Sequence, residues 1–282
     1  MKAATMAAVL VAILAAGGTA HANDDAGWRA RIDALLLSAN VSGQGFQRIF
    51  RDVPDGVYFG GNLDGGLQGG YRLVAAKENC EGLGVQFQFF NFDNAVGYNG
   101  EWENGVDLEF AGDLDVDVYA FDAEVTQRAE FRRWDFLVGG GLRAGGVGIH
   151  QGGNLYSGLA SFYGVPSGVD FDGVGPTLSA SAERPLGSSG LSVVGRARLA
   201  LLYGELEQTP TFGVQTPPIF SRTEDEFVQV TEIQFGMNYR KRLGSADGTF
   251  GVFWEAQRWD SDSGALGGLG LHGLSLQSGL IY

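Results

Sequence analysis

The chain has 282 residues, 46 of them glycine, and a formal net charge of −14. A hydrophobic fraction of 44% excludes a disordered chain. The acidic balance excludes a nucleic-acid binder, because phosphate contacts need clustered lysine and arginine. The single cysteine, Cys80, excludes an internal disulfide framework and a thiolate zinc site. Abundant glycine and aromatic residues, without helix-forming runs of lysine and glutamate, indicate an all-β protein.

The first 22 residues have the features of a cleaved signal peptide. Met1-Lys2 is a short positive start, residues 6–16 form an apolar run, and Ala20-His21-Ala22 is a small-x-small cleavage site. The run is too short to cross a bilayer as a helix. We therefore expect a signal peptide over residues 1–22 and an exported domain over residues 23–282. That domain is either a secreted soluble protein or a membrane barrel, since only helices and closed barrels satisfy their backbone in lipid.

Ten segments alternate between apolar and polar residues with the period of a β-strand. They are Trp28–Ser38, Asp64–Ala75, Gly82–Asn91, Val116–Glu130, Trp134–Gly148, Asp172–Glu183, Gly190–Leu206, Glu226–Lys241, Gly248–Asp260 and Gly270–Tyr282. The connections between them alternate strictly between long and short, which is typical of outer-membrane barrels and has no cause in a soluble sandwich. The sequence predicts a transmembrane, antiparallel, up-and-down β-barrel of about ten strands (range 8–12). Short periplasmic turns and longer external loops would connect its strands.

Aromatic residues are placed where a membrane barrel needs them. Tyr119 and Phe131 are twelve residues apart on one face of one segment. At about 3.3 Å per residue and a tilt near 45°, this separation is roughly 28 Å along the membrane normal, close to the ~25 Å apolar band of such barrels. The predicted aromatic girdle residues are Trp28, Tyr119, Phe131, Trp134, Tyr203, Phe227, Tyr239, Phe250 and Tyr282.

The last segment alternates up to a terminal aromatic residue, Tyr282. A terminal aromatic on an alternating strand is similar to the signal by which the barrel-assembly machinery recognises its substrates. We therefore expect this machinery and outer-membrane lipid as partners, and the outer membrane as the location.

Several glycine-rich and aromatic blocks resemble one known family. The blocks are residues 55–73, 121–144, 171–204 and 273–282, spread over most of the mature chain. They resemble the pore-forming outer-membrane proteins typified by the Legionella major outer-membrane protein, a family also frequent in planctomycetes. The resemblance implies an outer-membrane barrel with a pore role and carries no catalytic residues.

The face opposite the apolar one carries charged residues of both signs in nearly equal numbers. Inside a barrel such charges must be paired or hydrated. Ten strands enclose only slightly more space than the eight-stranded barrels that side chains fill, so a narrow pore and a closed, salt-bridged interior both remain open. The predicted lumen-lining residues are Arg72, Asp122, Glu124, Arg128, Arg143, Glu183, Arg196, Arg198, Glu232, Arg240 and Glu255.

Charge at the external end suggests a preference among ions. The second external loop, residues 92–115, would carry seven acidic residues and no basic one, namely Asp93, Glu101, Glu103, Asp107, Glu109, Asp113 and Asp115. An acidic mouth concentrates cations. The sequence therefore predicts a porin-like protein with a narrow, weakly cation-preferring diffusion pore for small ions or solutes. Arg196, Arg198 and Arg240 would line or plug it, paired with Glu183, Glu232 and Glu255 on neighbouring strands. The alternative is a closed structural or adhesion barrel that displays acidic external loops.

An enzyme is not expected. Only His150 and His272 follow the signal segment, and neither lies in a catalytic motif. We predict no catalytic residues, cofactor or metal. Cys80 falls in a predicted periplasmic turn, where a free thiol is the default expectation.

Overall fold

The computed structural model describes residues 26–42, 57–58, 66–102, 108–157, 160–162, 167–209, 222–263, 266 and 268–282. The predicted signal peptide lies outside these residues. Ten long strands form the structure: β1 (Ala26–Ser42), β3 (Gln68–Asn79), β4 (Leu83–Trp102), β5 (Leu108–Phe131), β6 (Trp134–Ser157), β8 (Ser167–Pro185), β9 (Leu191–Thr209), β10 (Arg222–Leu243), β11 (Ala246–Ser261) and β12 (Gly268–Ile281). Two short strands, β2 (Val57–Tyr58) and β7 (Ala160–Phe162), pair with β4 and β6.

The ten long strands close into an antiparallel barrel. Each pairs with the long strands beside it in the chain, and β1 also pairs with β12, so the first and last long strands complete the ring. The backbones of Trp28 and Tyr282 exchange two hydrogen bonds of 2.8 Å at this seam. The ring confirms the predicted all-β barrel of about ten strands. Within the described residues, no helix is long and apolar enough to cross a membrane.

The two ends of the barrel differ. At one end, here called the turn end, β3–β4, β5–β6, β8–β9 and β10–β11 are joined by short turns. Asn79 Oδ1 accepts hydrogen bonds from the backbone N–H groups of Glu81 (3.1 Å) and Leu83 (2.9 Å), which fixes the first turn. Because β3 continues to Asn79, this turn is shorter than the turn of residues 76–81 that the second and third predicted strands leave between them. The opposite end is here called the loop end.

Strands run further toward the loop end than the sequence predicts. Residues 92–115 were expected to form a loop, yet β4 continues to Trp102 and β5 begins at Leu108. Asp93 and Asp115 therefore lie on paired strands, and the expectation of a loop is wrong for most of this segment. The β4–β5 pairing extends this far because backbone hydrogen bonds between strands form equally well in water, outside the lipid. Glu103 and Asp107 lie outside the described residues.

The outer wall of the barrel is apolar. Leu199 and Phe235 are 53% and 63% exposed, whereas Ala200 and Leu202 point inward and are 4% and 0% exposed. Soluble monomers rarely expose an apolar surface as extensive as this wall. A surrounding hydrocarbon phase is its natural complement.

Seven of the nine proposed girdle residues are exposed on this wall: Tyr119, Phe131, Tyr203, Phe227, Tyr239, Phe250 and Tyr282. Trp28 and Trp134 are partly buried. The Lys77 ammonium lies 5.2 Å from the Trp28 ring, and the Arg184 guanidinium lies 5.4 Å from the Trp134 ring. Cations over tryptophan faces at the turn end suit the boundary between lipid and water.

Candidate functional site: the barrel interior

An apolar cluster fills the loop-end half of the interior. Nine of the ten long strands contribute inward-facing side chains, and all members of the cluster are at most 4% exposed. The members are Leu35, Leu37, Ala39, Phe90, Phe92, Val116, Val118, Ala120, Val147, Ile149, Val169, Phe171, Ala200, Leu202, Leu206, Val228, Val230, Trp259, Leu266, Leu269 and Leu271. Close packing of this kind leaves few voids as large as a water molecule.

Trp259 shows how far the cluster extends across the lumen. It lies on β11, and its ring is fully buried. A Cβ atom built on Gly145 of β6, on the opposite wall, would lie 3.2 Å from Cη2 of the Trp259 ring. The indole therefore reaches across the barrel, and the glycine leaves room for it. We refer to the whole cluster as the apolar plug.

The sequence carries a signal for the apolar plug that the alternation analysis missed. On β5, the inward side chains are Asp122 and Glu124 toward the turn end but Val116 and Val118 toward the loop end. The outward face changes in the opposite sense. Tyr119 belongs to the apolar outer wall, whereas the exposed Asp115, nearer the loop end, is charged. The inward face of β5 thus changes from charged to apolar near Tyr119, whereas the prediction from alternation gave each strand one polar face along its whole length.

Ion pairs replace the apolar plug deeper in the barrel. Arg143 donates from Nε and Nη2 to Asp122 at 2.7 and 2.9 Å, and its Nη1 lies 2.6 Å from Glu232. Arg198 donates from the same two nitrogens to Glu124 at 3.1 and 3.3 Å, and its Nη1 lies 3.5 Å from Glu232. These contacts join β5, β6, β9 and β10 across the interior.

A second group of charges centres on Glu255, which is fully buried. Arg72 forms a bidentate pair with it and also lies 3.4 Å from Asp33. The side-chain amides of Gln234 and Gln257 donate to the same carboxylate at 2.8 Å each. Nearly every acceptor site of Glu255 is used, as burial of a carboxylate requires.

A third group lies at the turn end and is partly exposed. Arg128 donates to Glu78 from Nε (2.6 Å) and Nη2 (3.0 Å), and from Nη1 to Asp135. Arg29 lies 3.5 Å from the same glutamate. These pairs bridge β1, β3, β5 and β6 close to the short turns.

Of the three arginines with predicted carboxylate partners, two need correction. Arg198 does pair with Glu232, but within the described residues Arg196 and Arg240 have no carboxylate within 4 Å. Glu183 accepts a hydrogen bond of 2.6 Å from the Ser192 hydroxyl instead. The prediction considered neighbouring strands only, whereas long side chains reach across the lumen. Arg72 from β3 thereby occupies Glu255, and Arg240 ends exposed near the turn end.

A polar cavity lies between these ion pairs and the turn end. Its volume is about 100 Å³. Its wall includes Arg29 and Arg31 of β1, Arg196 of β9, and residues of β4, β5, β6, β8 and β10. The described interior therefore has a polar half with a cavity toward the turn end and an apolar half toward the loop end.

The two histidines do not share a site. Tyr119, Tyr203 and Phe227 lie toward the loop end and mark the proposed outer girdle. His150 Nε2 lies 3.0 Å from Asp170 Oδ1 beyond this outer girdle, and both side chains are about half-exposed. Partial burial raises the pKa of the Asp170 carboxyl, while the imidazole acts in the opposite direction. His272 is exposed on β12. Within the described part of the chain, no group of three or more His, Cys, Asp or Glu side chains could hold a metal ion.

Comparison with known proteins identifies the fold and a family. A family model described as Legionella pneumophila major outer membrane protein precursor matches residues 21–261, and it confirms the resemblance found in the sequence. The structure is similar to the outer membrane protease OmpT from Escherichia coli, with a TM-score of 0.55 and 11% identity over 91% of this chain and 96% of that one. The translocator domain of the autotransporter NalP from Neisseria meningitidis gives a TM-score of 0.37 at 12% identity, over 100% and 96% of the two chains. No curated protein matches the chain.

Proposed function

The chain belongs to the Legionella major outer membrane protein family, and from that premise we propose that it is an outer-membrane barrel whose loop-end half is closed. The turn end then faces the periplasm, and the loop end faces the cell exterior. The protein would act as a structural or adhesion barrel that presents an acidic outer surface. Of the two alternatives that the sequence leaves open, the geometry favours this one.

The apolar plug carries the proposal. A diffusion pore needs a continuous polar path, because an ion that enters an apolar interior loses its hydration without compensation. The Trp259 ring and side chains from eight other strands occupy that path. Acidic residues such as Asp115, Glu205 and Glu207 stand exposed beyond the outer girdle, where a partner outside the cell would meet them.

Planar-bilayer recordings test the proposal. We expect no single-channel steps from the wild type, and steps from the double variant Trp259→Ala/Phe171→Ala, because the two substitutions remove aromatic rings from the plug. Trp254→Ala is the matched control: Trp254 lies on the same strand as Trp259 but is 46% exposed on the outer wall. This variant should stay silent. Regular steps from the wild type would reject a closed barrel.

A narrow, weakly cation-preferring pore is the second candidate. The polar cavity supports it, since charged and amide side chains line half of the required path. Conduction through this path would require the apolar plug to open. If the pore exists, replacing Arg196 and Arg198 with serine should raise conductance and cation preference, because two positive charges leave the lumen. Anion preference of the wild type would contradict this second candidate.

We do not extend the activity of OmpT to this chain. At 11% identity the similarity concerns the fold alone. The His150–Asp170 pair faces outward, beyond the girdle, and no other histidine of the described residues is near it. We therefore keep the prediction that the protein is not an enzyme. Peptide cleavage that is lost in His150→Ala but kept in His272→Ala would overturn it.

We also propose that the strand ending at Tyr282 is read by the barrel-assembly machinery. The backbone pairing of Tyr282 with Trp28 supports this, because the last residue completes the seam. Tyr282→Ala should lower the yield of assembled protein in cells while leaving refolding in detergent unchanged. An equal loss in both would assign Tyr282 a role in stability alone.

A further inference from the structure

Arg196 is held in the interior by neutral groups. Its Nη1 donates to the side-chain oxygens of Gln234 (3.0 Å) and Gln277 (2.8 Å). The Phe253 ring centre lies 4.6 Å from its Cζ. These three contacts fix the guanidinium plane, and none of them neutralises its charge.

One edge of this guanidinium is unused. Arginine can donate five hydrogen bonds, and the pair formed by Nε and Nη2 matches two oxygens of one oxyanion. Neither nitrogen of Arg196 has a hydrogen-bond partner among the described residues. Both glutamine contacts use Nη1, so the side chain is oriented without engaging this edge.

Four other interior arginines each bind a carboxylate with the same edge of the guanidinium. In each of them, Nε and Nη2 together hold one carboxylate, at distances between 2.6 and 3.3 Å. The pairs are Arg31 with Asp33, Arg128 with Glu78, Arg143 with Asp122, and Arg198 with Glu124. Arg196 has the same edge and is held in place by its Nη1 contacts, but no carboxylate of the described residues pairs with that edge.

Arg196 lines the polar cavity, which has room for a ligand. Arg196, Arg29 and Arg31 line it together, and the charged residues of its wall are five arginines and three carboxylates. Arg29 Nε is buried without a hydrogen-bond partner among the described residues. Glu183, the carboxylate on the adjacent strand, is engaged by Ser192. The cavity volume of about 100 Å³ is several times what one water molecule needs, so the cavity accommodates a small anion.

We propose that Arg196, with Arg29 and Arg31, binds a small oxyanion inside the periplasmic half of the barrel. The ligand class is a free anion that presents two oxygens to one guanidinium, such as phosphate, sulfate or a small carboxylate. Burial of a charge without a counter-ion is costly, and a bidentate oxyanion removes that cost. The site goes beyond the proposed function and is present whether the outer half is closed or conducts.

Calorimetric titration of the full chain with inorganic phosphate tests the site. The protein is refolded in a nonionic detergent, so that no lipid phosphate competes, and sodium chloride at matched ionic strength is titrated in parallel. We expect saturable binding of phosphate and none of chloride. Arg196→Gln should weaken binding at least about tenfold, since charge-assisted bidentate bonds are the strong ones. Arg258→Gln is the control, because Arg258 is 67% exposed on the outer surface, and it should bind like the wild type.

A second variant keeps the test decisive if Arg196→Gln fails to fold, as judged by its heat-modifiable gel band. Arg196→Lys retains the charge but lacks the two-nitrogen edge, so it should fold and still bind phosphate at least about tenfold more weakly. The proposal is overturned if wild type shows no saturable binding, if chloride binds equally well, or if both Arg196 variants bind phosphate like the wild type. None of these results depends on channel recordings, so failure here is distinct from failure of the closed barrel.

Discussion

A single arginine in the middle of the outer wall tests the lipid-facing surface quantitatively. Ile233 points outward on β10, six residues from Phe227 and six from Tyr239. At about 3.3 Å per residue and a tilt near 45°, either girdle is roughly 14 Å away along the normal. Its cross-strand neighbours are Ala197 and Ala256, neither of which can pair with a charge.

Ile233→Arg should therefore destabilise the barrel by about 2–4 kcal/mol, the cost of arginine at the bilayer midplane. This cost corresponds to a factor of roughly 30 to 900 in the folding equilibrium. The assay is reversible guanidinium unfolding in phospholipid vesicles, followed by tryptophan fluorescence.

Glu207→Arg is the matched control for this substitution. Glu207 points outward on β9, four residues beyond Tyr203, and is exposed. A surface change of this kind should stay within about 0.5 kcal/mol of the wild type. If Ile233→Arg costs no more than the control, the outer wall does not face lipid and the assignment of inward and outward faces is refuted.

Two further predictions concern the packing of the barrel interior, and a third concerns its membrane environment. Arg72→Met leaves Glu255 buried without its main partner and should cost about 3–5 kcal/mol in guanidinium unfolding, whereas the double variant with Glu255→Met should recover more than half of that loss. Gly145→Leu would collide with the Tyr119 carbonyl oxygen and the Trp259 ring and should cost about 1–3 kcal/mol, while Gly195→Ala, with open space around its Cβ, should be neutral in the same assay. The purified protein should require detergent and show a heat-modifiable gel band; recovery as a soluble monomer would contradict the membrane barrel.

The ring of strands could be predicted from the sequence because period-two alternation is a local property. Each of the ten segments corresponds to one long strand, from β1 to β12. The alternation of short and long connections then favoured an outer-membrane barrel over a soluble sandwich. Neither the alternation of apolar and polar residues nor the lengths of the connections depends on which side chains contact one another across the barrel.

The strand ends and the apolar plug could not be predicted in this way. At the outer girdle the inward face changes from charged residues such as Asp122 to apolar ones such as Val118. A pattern that inverts within one strand resembles the end of the strand, so β4 and β5 were predicted too short. The alternation likewise did not predict that Trp259 fills the interior, where it is fully buried.

The partners of interior charges depend on distances across the lumen, which the sequence does not contain. Arg72 and Glu255 are separated by 183 residues and three strand pairings, yet they form one pair. The same limitation concealed the neutral surroundings of Arg196. An acid-rich neighbourhood in the sequence does not show which carboxylates are already occupied by another arginine.

The most direct test of the account is cysteine labelling at three positions, in vesicles that contain the barrel and with Cys80 replaced by serine. Ser181 lines the polar cavity, Ala200 lies in the apolar plug, and Leu199 faces outward. A water-soluble maleimide present on both sides of the membrane should label Ser181→Cys and leave Ala200→Cys unreacted, while only a lipid-soluble maleimide should label Leu199→Cys. Labelling of Ala200→Cys by the water-soluble reagent as fast as Ser181→Cys would contradict the closed outer half.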